Sequence, residues 1–280
     1  MRVVLTGATG YLAGRMLPAL QERYDLVLID ARSTHRKSNQ PVEGVQIADL
    51  TNPDRDTYRA HFRQADAVVH CAYGRANRKD PDVHFAAELQ NIQMAYNLYR
   101  ICQEEAVRRM VVFSSNHAAD FTEGLFWQGV IKSILPDMRP LPNNIYGWAK
   151  SAYELLGFTF ACDKIGHRPV ENIQLRIGSP WDWEFRPPKN AQALRRYLGA
   201  YLSVRDQAQL VIKSIENENI ADQNGIPFQI FYGISGNSDR FWSIDNAQKV
   251  VGYAPEDDCA IKFSAQIAQW RQQWAVRAVS

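Results

Sequence analysis

The chain has 280 residues, of which 46% are hydrophobic, and its 32 Lys and Arg against 30 Asp and Glu give a formal net charge of +2. This length can bury a large core as one domain or as a domain with an appendage, and the near-neutral charge excludes a broad surface for nucleic acid or an anionic membrane. Four separated cysteines without a CxxC pair, and six histidines without metal-binding spacing, predict neither a disulfide framework nor a metal cofactor.

Short apolar runs alternate with longer amphipathic runs as far as Ser115. The apolar runs predict strands at residues 3–6, 26–30, 45–48, 67–71 and 110–114. The amphipathic runs predict helices at residues 11–22, 54–63 and 84–106. This alternation indicates an α/β fold, a Rossmann-type doubly wound parallel sheet with helices on both faces. Pro18 is expected to kink or shorten the first helix.

Beyond Ser115 the pattern becomes irregular. The segment 117–143 contains three prolines, and because irregular segments of this length are usually functional or partly structured, we expect it to border the active site. The later elements are predicted as helix, strand, irregular segment, helix, strand and helix, at residues 146–164, 171–177, 178–190, 204–217, 228–232 and 264–275. The sequence assigns no role to the loops 117–143 and 179–195.

A glycine-rich turn follows the first predicted strand. Gly7 and Gly10 lie between that strand and the first helix, where the backbone can approach a phosphate and the free N–H groups of the helix start face its charge. Tight strand-to-helix turns also favour glycine without any ligand. The turn therefore predicts a dinucleotide site only together with further residues.

Asp30 supplies such a residue at the end of the second strand. A carboxylate about 20 residues after the glycines can accept hydrogen bonds from the adenosine ribose hydroxyls and repels a 2'-phosphate, which favours NAD over NADP. The alternatives are a solvated strand-end aspartate at Asp30 and, because Arg32 lies nearby, NADP as the cofactor. Asp49 ends the next strand and can bond the adenine amino group or close a turn.

The catalytic prediction depends on a tyrosine and a lysine four residues apart. Tyrosine ionises near pH 10, so Tyr146 needs a neighbouring positive charge such as Lys150 to act as a base near neutral pH. Ser114 and Ser115 end a buried strand, which places a hydroxyl at the carboxyl edge of the sheet, where doubly wound folds bind ligands. The three residue types together predict proton transfer with a substrate hydroxyl.

These motifs resemble those of a known family. The TGxxGxxxG opening, Asp30, Asn91, the Ser114–Ser115 strand end and the Tyr146/Lys150 pair are similar to the extended short-chain dehydrogenase/reductases of the NAD-dependent epimerase/dehydratase family. Three stretches, 113–117, 175–179 and 196–203, most resemble the uronate dehydrogenases. Those enzymes use NAD to oxidise the anomeric carbon of a free hexuronate to an aldarolactone.

The resemblance implies a role for each matched residue. Tyr146 would be the general base, Lys150 its activator and Ser115 the residue that orients the reacting hydroxyl. The implied cofactor-binding residues are Gly7, Gly10, Tyr11, Leu12, Asp30, Asp49, Leu50, Cys71, Ala72, Tyr73, Asn91, Ser114, Tyr146, Lys150 and Ile177. The implied substrate-binding residues are Arg75, Ser115, Asn116, His117, Tyr146, Ser179 and Arg196.

Two of the implied substrate contacts have an alternative. Arg196 matches an arginine that holds the substrate carboxylate, a task that suits a guanidinium fork, but it can equally be a surface arginine beside Arg195. Arg75 stands where uronate dehydrogenases have a substrate-contacting serine. The cluster of Arg75, Arg78 and Lys79 can be a solvated loop or can add positive charge to the pocket. The resemblance to the uronate dehydrogenases therefore supports the type of reaction more directly than it supports the substrate.

The leading functional hypothesis is NAD-dependent oxidation of the anomeric carbon of a hexuronate or related anionic sugar to the lactone. The alternative is a nucleotide-sugar epimerase or dehydratase with bound NAD, although residues 115–117 read Ser-Asn-His where dehydratases have Thr-Asp-Glu. A third reading is a non-enzymatic redox sensor on the same fold, but such proteins usually lose the tyrosine or the lysine.

The remaining expectations concern organisation and partners. Residues 1–177 are expected to form the NAD-binding core with the catalytic helix, and residues 178–280 a smaller, partly intertwined substrate-binding region. The helices containing Asn91 and Tyr146 carry more apolar residues than one buried face needs, which predicts a homodimer. The lack of a long apolar run or a signal segment predicts a cytoplasmic enzyme without membrane or nucleic-acid partners.

Overall fold

A parallel sheet of seven strands organises the part of the chain that the computed structural model describes, which is residues 1–166, 168–181 and 188–279. The strands are β1 (Arg2–Thr6), β2 (Asp25–Asp30), β3 (Val45–Ile47), β4 (Ala67–His70), β5 (Arg109–Ser115), β6 (Glu171–Ile177) and β7 (Phe228–Gly233). They lie in the order β3-β2-β1-β4-β5-β6-β7, and every neighbouring pair is parallel. The predicted α/β doubly wound fold is confirmed.

Helices cover both faces of this sheet. They are α1 (Tyr11–Gln21), α2 (Pro81–Glu104), α3 (Asp120–Trp127), α4 (Ile145–Ala161), α5 (Ala191–Ala200), α6 (Val204–Glu216), α7 (Asp245–Val251), α8 (Cys259–Lys262) and α9 (Ser264–Val279). Successive strand residues point to opposite faces, so Val3 and Leu5 pack with α1 and α6 while Val4 packs with α2 and α4. Within the described ranges, none of these helices has the length and apolar character needed to cross a bilayer.

The strand order fixes where a ligand can bind. From β1 the chain builds the sheet outwards through β2 and β3, and it then returns to place β4 on the other side of β1. In doubly wound sheets, such a reversal leaves a crevice at the carboxyl ends of the strands. The carboxyl ends of β1 and β4 therefore border the expected ligand crevice.

Three predicted segments differ from the structure. Residues 54–63 do not form a helix but two short 3-10 turns, Arg55–Thr57 and Arg59–Phe62. The segment 117–143 contains α3, preceded by the 3-10 turn Asn116–Ala119. Pro18 does not end α1, which continues for three residues beyond it to Gln21.

The second irregular segment, predicted for 178–190, is only partly described, since residues 182–187 lie outside the described ranges. The following helix α5 was not predicted, and neither were α7 and α8. Strand β7 extends the main sheet by pairing with β6. Residues of α5, α8 and α9 form a separate small apolar cluster, which contains Leu194, Leu198, Tyr201, Cys259, Ile267 and Trp270.

Candidate active site

A cleft of about 670 Å³ lies at the carboxyl edge of the sheet. The predicted site residues that line it are Gly7, Gly10, Tyr11, Leu12, Asp30, Asp49, Leu50, Cys71, Ala72, Tyr73, Arg75, Ser114, Ser115, His117, Tyr146, Lys150 and Ile177. Four other predicted residues, Asn91, Asn116, Ser179 and Arg196, are not among its lining residues. The structure thus brings the cofactor and catalytic predictions to one place but separates part of the substrate prediction from it.

The turn between β1 and α1 forms one wall of the cleft. Gly7 has a φ of +70°, and a Cβ atom there would lie 2.5 Å from the backbone nitrogen of Ala72. Only glycine therefore allows this turn to lie against the end of β4. The first residues of α1 follow at once, so their N–H groups without helical partners lie at the cleft.

Two carboxylates at strand ends both line the cleft and hold loops. Asp30 Oδ2 accepts hydrogen bonds from the Thr9 backbone nitrogen at 3.1 Å and from Thr9 Oγ1 at 2.8 Å, which ties β2 to the glycine turn. Asp49 Oδ1 accepts from Thr51 N at 2.9 Å and from Thr51 Oγ1 at 2.6 Å, which closes a local turn. Each therefore has a structural role at a ligand-facing position.

Positive charge gathers near Asp30. Arg32, Arg36 and Arg75 all line the cleft. The pKa of Arg36 is lowered, first by burial and then by the charges of Arg75 and Arg32, while Asp30 opposes the shift. The three guanidinium groups are therefore close enough to repel one another, and they create a potential that favours an anion at this end.

Helix α4 positions the predicted catalytic pair, Tyr146 and Lys150. Asn144 Oδ1 accepts a hydrogen bond from Gly147 N at 2.8 Å and so caps the helix start. A Cβ atom at Gly147 would lie 2.2 Å from the carbonyl oxygen of His117, so the glycine permits α4 to lie directly against the turn that follows β5. This close approach brings Tyr146 to the strand-end serine, and Lys150 follows one helical turn later.

Tyr146 is half-buried between aromatic rings. Its ring makes edge-to-face contacts with Tyr73, at a centroid distance of 5.5 Å, and with His117, at 5.7 Å. Burial raises the pKa of Tyr146, and a hydrogen bond with Ser115 and the positive charge of Arg78 act against that rise. The phenol therefore has a hydroxyl partner and a cationic neighbour before any ligand binds.

Lys150 is buried beneath the phenol. Its Nζ donates a hydrogen bond to the Phe113 carbonyl at 2.9 Å and lies 4.4 Å from the Tyr153 ring centroid, 5.1 Å from that of Tyr73 and 5.8 Å from that of Tyr146. Burial lowers the pKa of Lys150 to about 8. The ammonium thus lies in an aromatic cage, and the bond to β5 leaves further N–H donors for a ligand.

A buried ion pair under the cleft was not predicted. The Arg176 guanidinium bonds both carboxylate oxygens of Glu154, at 2.8 and 2.7 Å, and Ser114 Oγ donates to the same carboxylate at 2.8 Å. The pair joins β6 to α4 beneath Ser114. The available signal was an arginine in a strand predicted to lie within the sheet, because a buried charge needs a buried partner.

The predicted sugar contacts occupy different positions. His117 lines the cleft, and its Nδ1 is 2.7 Å from Asp120 Oδ2. Asn116 is buried, and its Oδ1 accepts a 3.4 Å hydrogen bond from Ser115 Oγ. Ser179 pairs through its backbone with Ala200, its N being 2.6 Å from the carbonyl oxygen of that residue.

Arg196 lies away from the cleft lining. Its Nε and Nη2 bond the two carboxylate oxygens of Glu123 at 2.7 and 2.9 Å, so the guanidinium fork joins α5 to α3. Burial raises the pKa of Glu123, and Arg196 acts against that rise. The fork that the sequence assigned to a substrate carboxylate is engaged by a carboxylate of the protein itself.

Asn91 acts on the cleft through a loop. Its Oδ1 accepts from Gly74 N at 2.7 Å, and its Nδ2 donates to the Gly74 carbonyl at 2.9 Å. The same amide donates to the buried carboxylate of Glu88 at 3.2 Å. Asn91 therefore fixes the loop after β4, which itself lines the cleft.

Among the cleft-lining residues that were not assigned to the site from the sequence are Trp181 and Arg78, although Arg78 was considered as part of a basic cluster that is either solvated or adds positive charge to the pocket. Trp181 stacks on Tyr11 with a centroid distance of 4.6 Å, and Tyr11 donates a hydrogen bond to the Pro180 carbonyl at 3.2 Å. Arg78 lies with its guanidinium carbon 4.6 Å from the centroid of the Tyr146 ring. Neither had a periodic or motif signal, since both lie on irregular segments.

The residues present fit a dinucleotide. The β1–α1 turn approaches so closely that a side chain at Gly7 would fill the space, which suits a pyrophosphate held by backbone N–H groups. The Asp30 carboxylate at the end of β2 suits ribose hydroxyls. Lys150 and Tyr146 lie at the other end of the same cleft. In the described ranges, no group of His, Cys, Asp and Glu side chains could hold a metal ion.

Comparison with known proteins agrees with this geometry. The sequence profile described as the NAD dependent epimerase/dehydratase family matches residues 3–168. An NAD-dependent glucose-6-phosphate dehydrogenase of Haloferax volcanii is 29% identical over 92% of this chain and 94% of its own. A uronate dehydrogenase of Pseudomonas syringae pv. tomato is 27% identical over 95% of this chain and 85% of its own. The crystal structure of the uronate dehydrogenase from Agrobacterium tumefaciens matches with a TM-score of 0.70 and 25% identity, covering 96% of this chain and 88% of that one.

Proposed function

The chain belongs to the NAD-dependent epimerase/dehydratase family, and from that premise we propose that it is an NAD-dependent sugar dehydrogenase. The reaction we assign is oxidation of the anomeric carbon of a hexuronate or related anionic sugar to the lactone. One observation carries this proposal: Tyr146, Lys150 and Ser115 converge at the carboxyl edge of the sheet, in the same cleft as the glycine turn. The retained tyrosine and lysine speak against a non-enzymatic sensor.

The protein supplies positioning and proton transfer for this reaction. When bound, NAD accepts the hydride that leaves C1 of the sugar. The glycine turn and Asp30 would hold the adenosine and pyrophosphate half, and Lys150 has N–H donors for the nicotinamide ribose. Ser115 orients the C1 hydroxyl toward Tyr146, whose oxygen accepts the hydroxyl proton as the C1–H bond breaks. The positive charge of Lys150 stabilises the phenolate form that accepts this proton.

The anionic substrate class is supported by two relatives of different specificity. One is named for glucose 6-phosphate and the other for uronate, and both sugars carry a negative group on C6. Arg78, which lines the cleft beside the Tyr146 ring, fits such a group better than a neutral hydroxymethyl. We therefore assign a sugar that is oxidised at C1 and is negatively charged at C6.

A substrate screen tests this function directly. Purified protein is incubated with NAD and, in turn, glucuronate, galacturonate, glucose 6-phosphate and glucose, and the absorbance of reduced NAD is followed. We expect steady accumulation of reduced NAD with at least one anionic sugar. Absence of any reduction would refute a dehydrogenase. Interconversion of a nucleotide sugar without net reduction would instead establish the epimerase alternative.

The assembly that we propose is a homodimer formed through α2 and α4. These helices pack side by side, with Phe85 stacked on Trp148 at a centroid distance of 5.3 Å. Six large apolar side chains on them are between 38% and 62% exposed: Val83, Phe85, Leu89, Trp148, Leu155 and Phe158. A patch of this kind on a soluble enzyme usually marks a subunit interface.

The division of labour along the chain is also a proposal. We assign residues 1–177 to NAD binding and catalysis and residues 178–280 to the substrate side of the cleft, which Trp181 borders. A cytoplasmic location is supported by the cysteines Cys71, Cys102, Cys162 and Cys259, all of which are free thiols. Small-molecule sugar acids are the proposed partners.

A further inference from the structure

Arg78 is the cation nearest the reacting end of the cleft that has no assigned role. It lies on the loop after β4, lines the cleft and holds its guanidinium carbon 4.6 Å from the centroid of the Tyr146 ring. Arg196, which the resemblance matched to a carboxylate-binding arginine with a surface position as the equal alternative, is paired with Glu123 through both carboxylate oxygens. The guanidinium of Arg196 is therefore occupied by a carboxylate of the protein, whereas the guanidinium of Arg78 lies in the cleft beside Tyr146.

The Arg78 side chain is held by a chain of contacts that begins in the core. The Glu88 carboxylate is fully buried and accepts a 2.5 Å hydrogen bond from the Tyr73 hydroxyl. Hydrogen bonding by Arg78 to the same hydroxyl acts against the rise in the pKa of Tyr73, which is caused first by burial. Asn91 fixes the backbone of the same loop at Gly74. These contacts restrain the guanidinium without neutralising its charge.

The charge of Arg78 remains available to a ligand. Among the residues that the structure describes, no carboxylate lies within ion-pair distance of this guanidinium, whereas Arg176, Arg196 and Arg205 are each paired. A guanidinium has five N–H donors arranged as a fork, so a bond to Tyr73 leaves donors for two oxygens of one anion. The side chain is exposed to solvent on its outer side, which leaves a path for a ligand.

We propose that Arg78 binds the oxyanion on C6 of the sugar while Tyr146 and Ser115 hold the C1 hydroxyl. The inference rests on the proposed function and deepens it by naming the residue that selects an anionic sugar. The ligand group that this role requires is an anion with at least two oxygens that share the negative charge. A uronate carboxylate and a sugar 6-phosphate both meet this requirement. Arg78 would thereby replace Arg196 in the role that the sequence suggested.

The test compares Arg78→Gln with Lys79→Gln. Both variants remove one positive charge from the same loop, but Lys79 is exposed and is not among the cleft-lining residues. Steady-state kinetics use glucuronate, glucose 6-phosphate and glucose with saturating NAD. For Arg78→Gln we expect KM for the anionic sugars to rise about 10- to 100-fold, the range for a lost charge-assisted hydrogen bond. The rise in KM should be at least about 10-fold larger for the anionic sugars than for glucose. All constants of Lys79→Gln should stay unchanged.

A binding measurement separates this inference from the proposed reaction. Calorimetry of glucuronate and of glucose 6-phosphate binding to NAD-loaded Tyr146→Phe, with and without Arg78→Gln, needs no turnover. Weaker binding of either anion in the double variant supports the inference even if no sugar is oxidised. Comparing the two ligands shows whether the site takes carboxylate, phosphate or both.

Two results would overturn the inference. The first is unchanged affinity for both anions in the Arg78→Gln background. The second is an equal loss of turnover on glucose and on anionic sugars, accompanied by a shifted pH profile, because that pattern means that Arg78 acts on the Tyr146 phenol. Thermal unfolding of Arg78→Gln is measured alongside, so that a loss of affinity is compared only between folded proteins.

Discussion

At the scale of single residues, the protonation of Lys150 links catalysis to stability. The ammonium is surrounded by the rings of Tyr73, Tyr146 and Tyr153, and burial lowers its pKa from 10.5 to about 8. Below about pH 8 the side chain is charged and supports the phenolate of Tyr146. Above that value the charge is lost in the folded protein, although an unfolded chain would keep it.

Replacement of Lys150 by Met should therefore lower activity and remove part of the pH dependence of stability. We expect turnover to fall about 100-fold or more, the usual size of an acid–base contribution. Between pH 8 and 10.5, Lys150 is protonated in the unfolded chain but neutral in the folded protein. The free energy of unfolding of the unaltered protein should therefore rise with pH across this range, by roughly 3 kcal/mol from this group. Chemical denaturation at several pH values measures the effect, and Lys150→Met should lack this part of the rise. Parallel curves for the two proteins would contradict the assignment.

Asp30 controls the choice between NAD and NADP in this interpretation. Asp30→Asn removes the negative charge but keeps an oxygen for the bonds to Thr9. With Arg32, Arg36 and Arg75 nearby, we expect the ratio of kcat/KM for NADP over NAD to rise at least about 5-fold, which corresponds to roughly 1 kcal/mol of relieved repulsion. Kinetics with both cofactors provide the measurement. Glu43→Gln, an equal charge change at an exposed residue outside the cleft, should leave the ratio unaltered.

The residues of the site differ in how far sequence alone could reveal them. Gly7, Asp30, Tyr146 and Lys150 belong to local patterns, and all of them line the cleft. The partner of Arg196 could not be read from any pattern, because Glu123 is 73 positions away on another helix. Whether an arginine faces a substrate or a carboxylate of its own chain depends on tertiary packing.

At the scale of elements, the contact between α4 and the turn after β5 determines the catalytic geometry. Gly147 allows a separation that no other residue permits, since a Cβ atom there would overlap the His117 carbonyl. The capped start of α4 then places Tyr146 within reach of Ser115. The absence of a side chain at Gly147 thus sets the distance between α4 and the turn after β5.

Gly147→Ala should damage both activity and stability. The added methyl forces α4 away from the turn, so we expect a destabilisation of about 1–3 kcal/mol together with a loss of turnover, although alanine favours helices over glycine. Gly124→Ala in α3 is the matched control, because nothing lies within 4 Å of its added Cβ. That control should be neutral or slightly stabilising. Thermal unfolding and initial rates of both variants measure the difference, and equal behaviour would refute the steric argument.

Elements were predictable where burial imposed a simple pattern. The strands are apolar runs between helices, and Glu171–Ile177 was predicted at its observed bounds. The error at 54–63 has a physical cause: Tyr58 and Phe62 are four residues apart and both buried, which imitates one helical face. In the structure, however, Tyr58 lies between two 3-10 turns and Phe62 ends the second. Helix α5 begins at Ala191, directly after the irregular stretch 178–190 with its prolines Pro180, Pro187 and Pro188, and no helix is predicted there from the sequence.

At the scale of the whole molecule, the two faces of the sheet have different tasks. The face with α1 and α6 is completed by residues of the C-terminal region, such as Phe231 and Trp242. The opposite face, with α2 and α4, leaves an apolar surface exposed. A second copy of the chain can cover that surface, and the catalytic helix α4 would then form part of the subunit interface.

Leu155→Glu tests this arrangement. Leu155 is 62% exposed on α4, and a charge there should convert a dimer to a monomer at micromolar concentration. Ile261→Glu on α8, where the side chain is 76% exposed, provides the control and should remain dimeric. Sedimentation equilibrium measures both variants. A monomeric unaltered protein would refute the dimer, whereas dissociation of the α8 variant would relocate the interface.

The link between Thr9 and Asp30 has a consequence for how the dinucleotide arrives. The turn that we propose for the pyrophosphate is joined to the neighbouring strand by these hydrogen bonds, and Gly7 already contacts the end of β4. Because the turn is already ordered, binding of the adenosine end of NAD should cost little conformational entropy of the protein. Conformational change on binding is therefore expected on the sugar side of the cleft rather than at this turn.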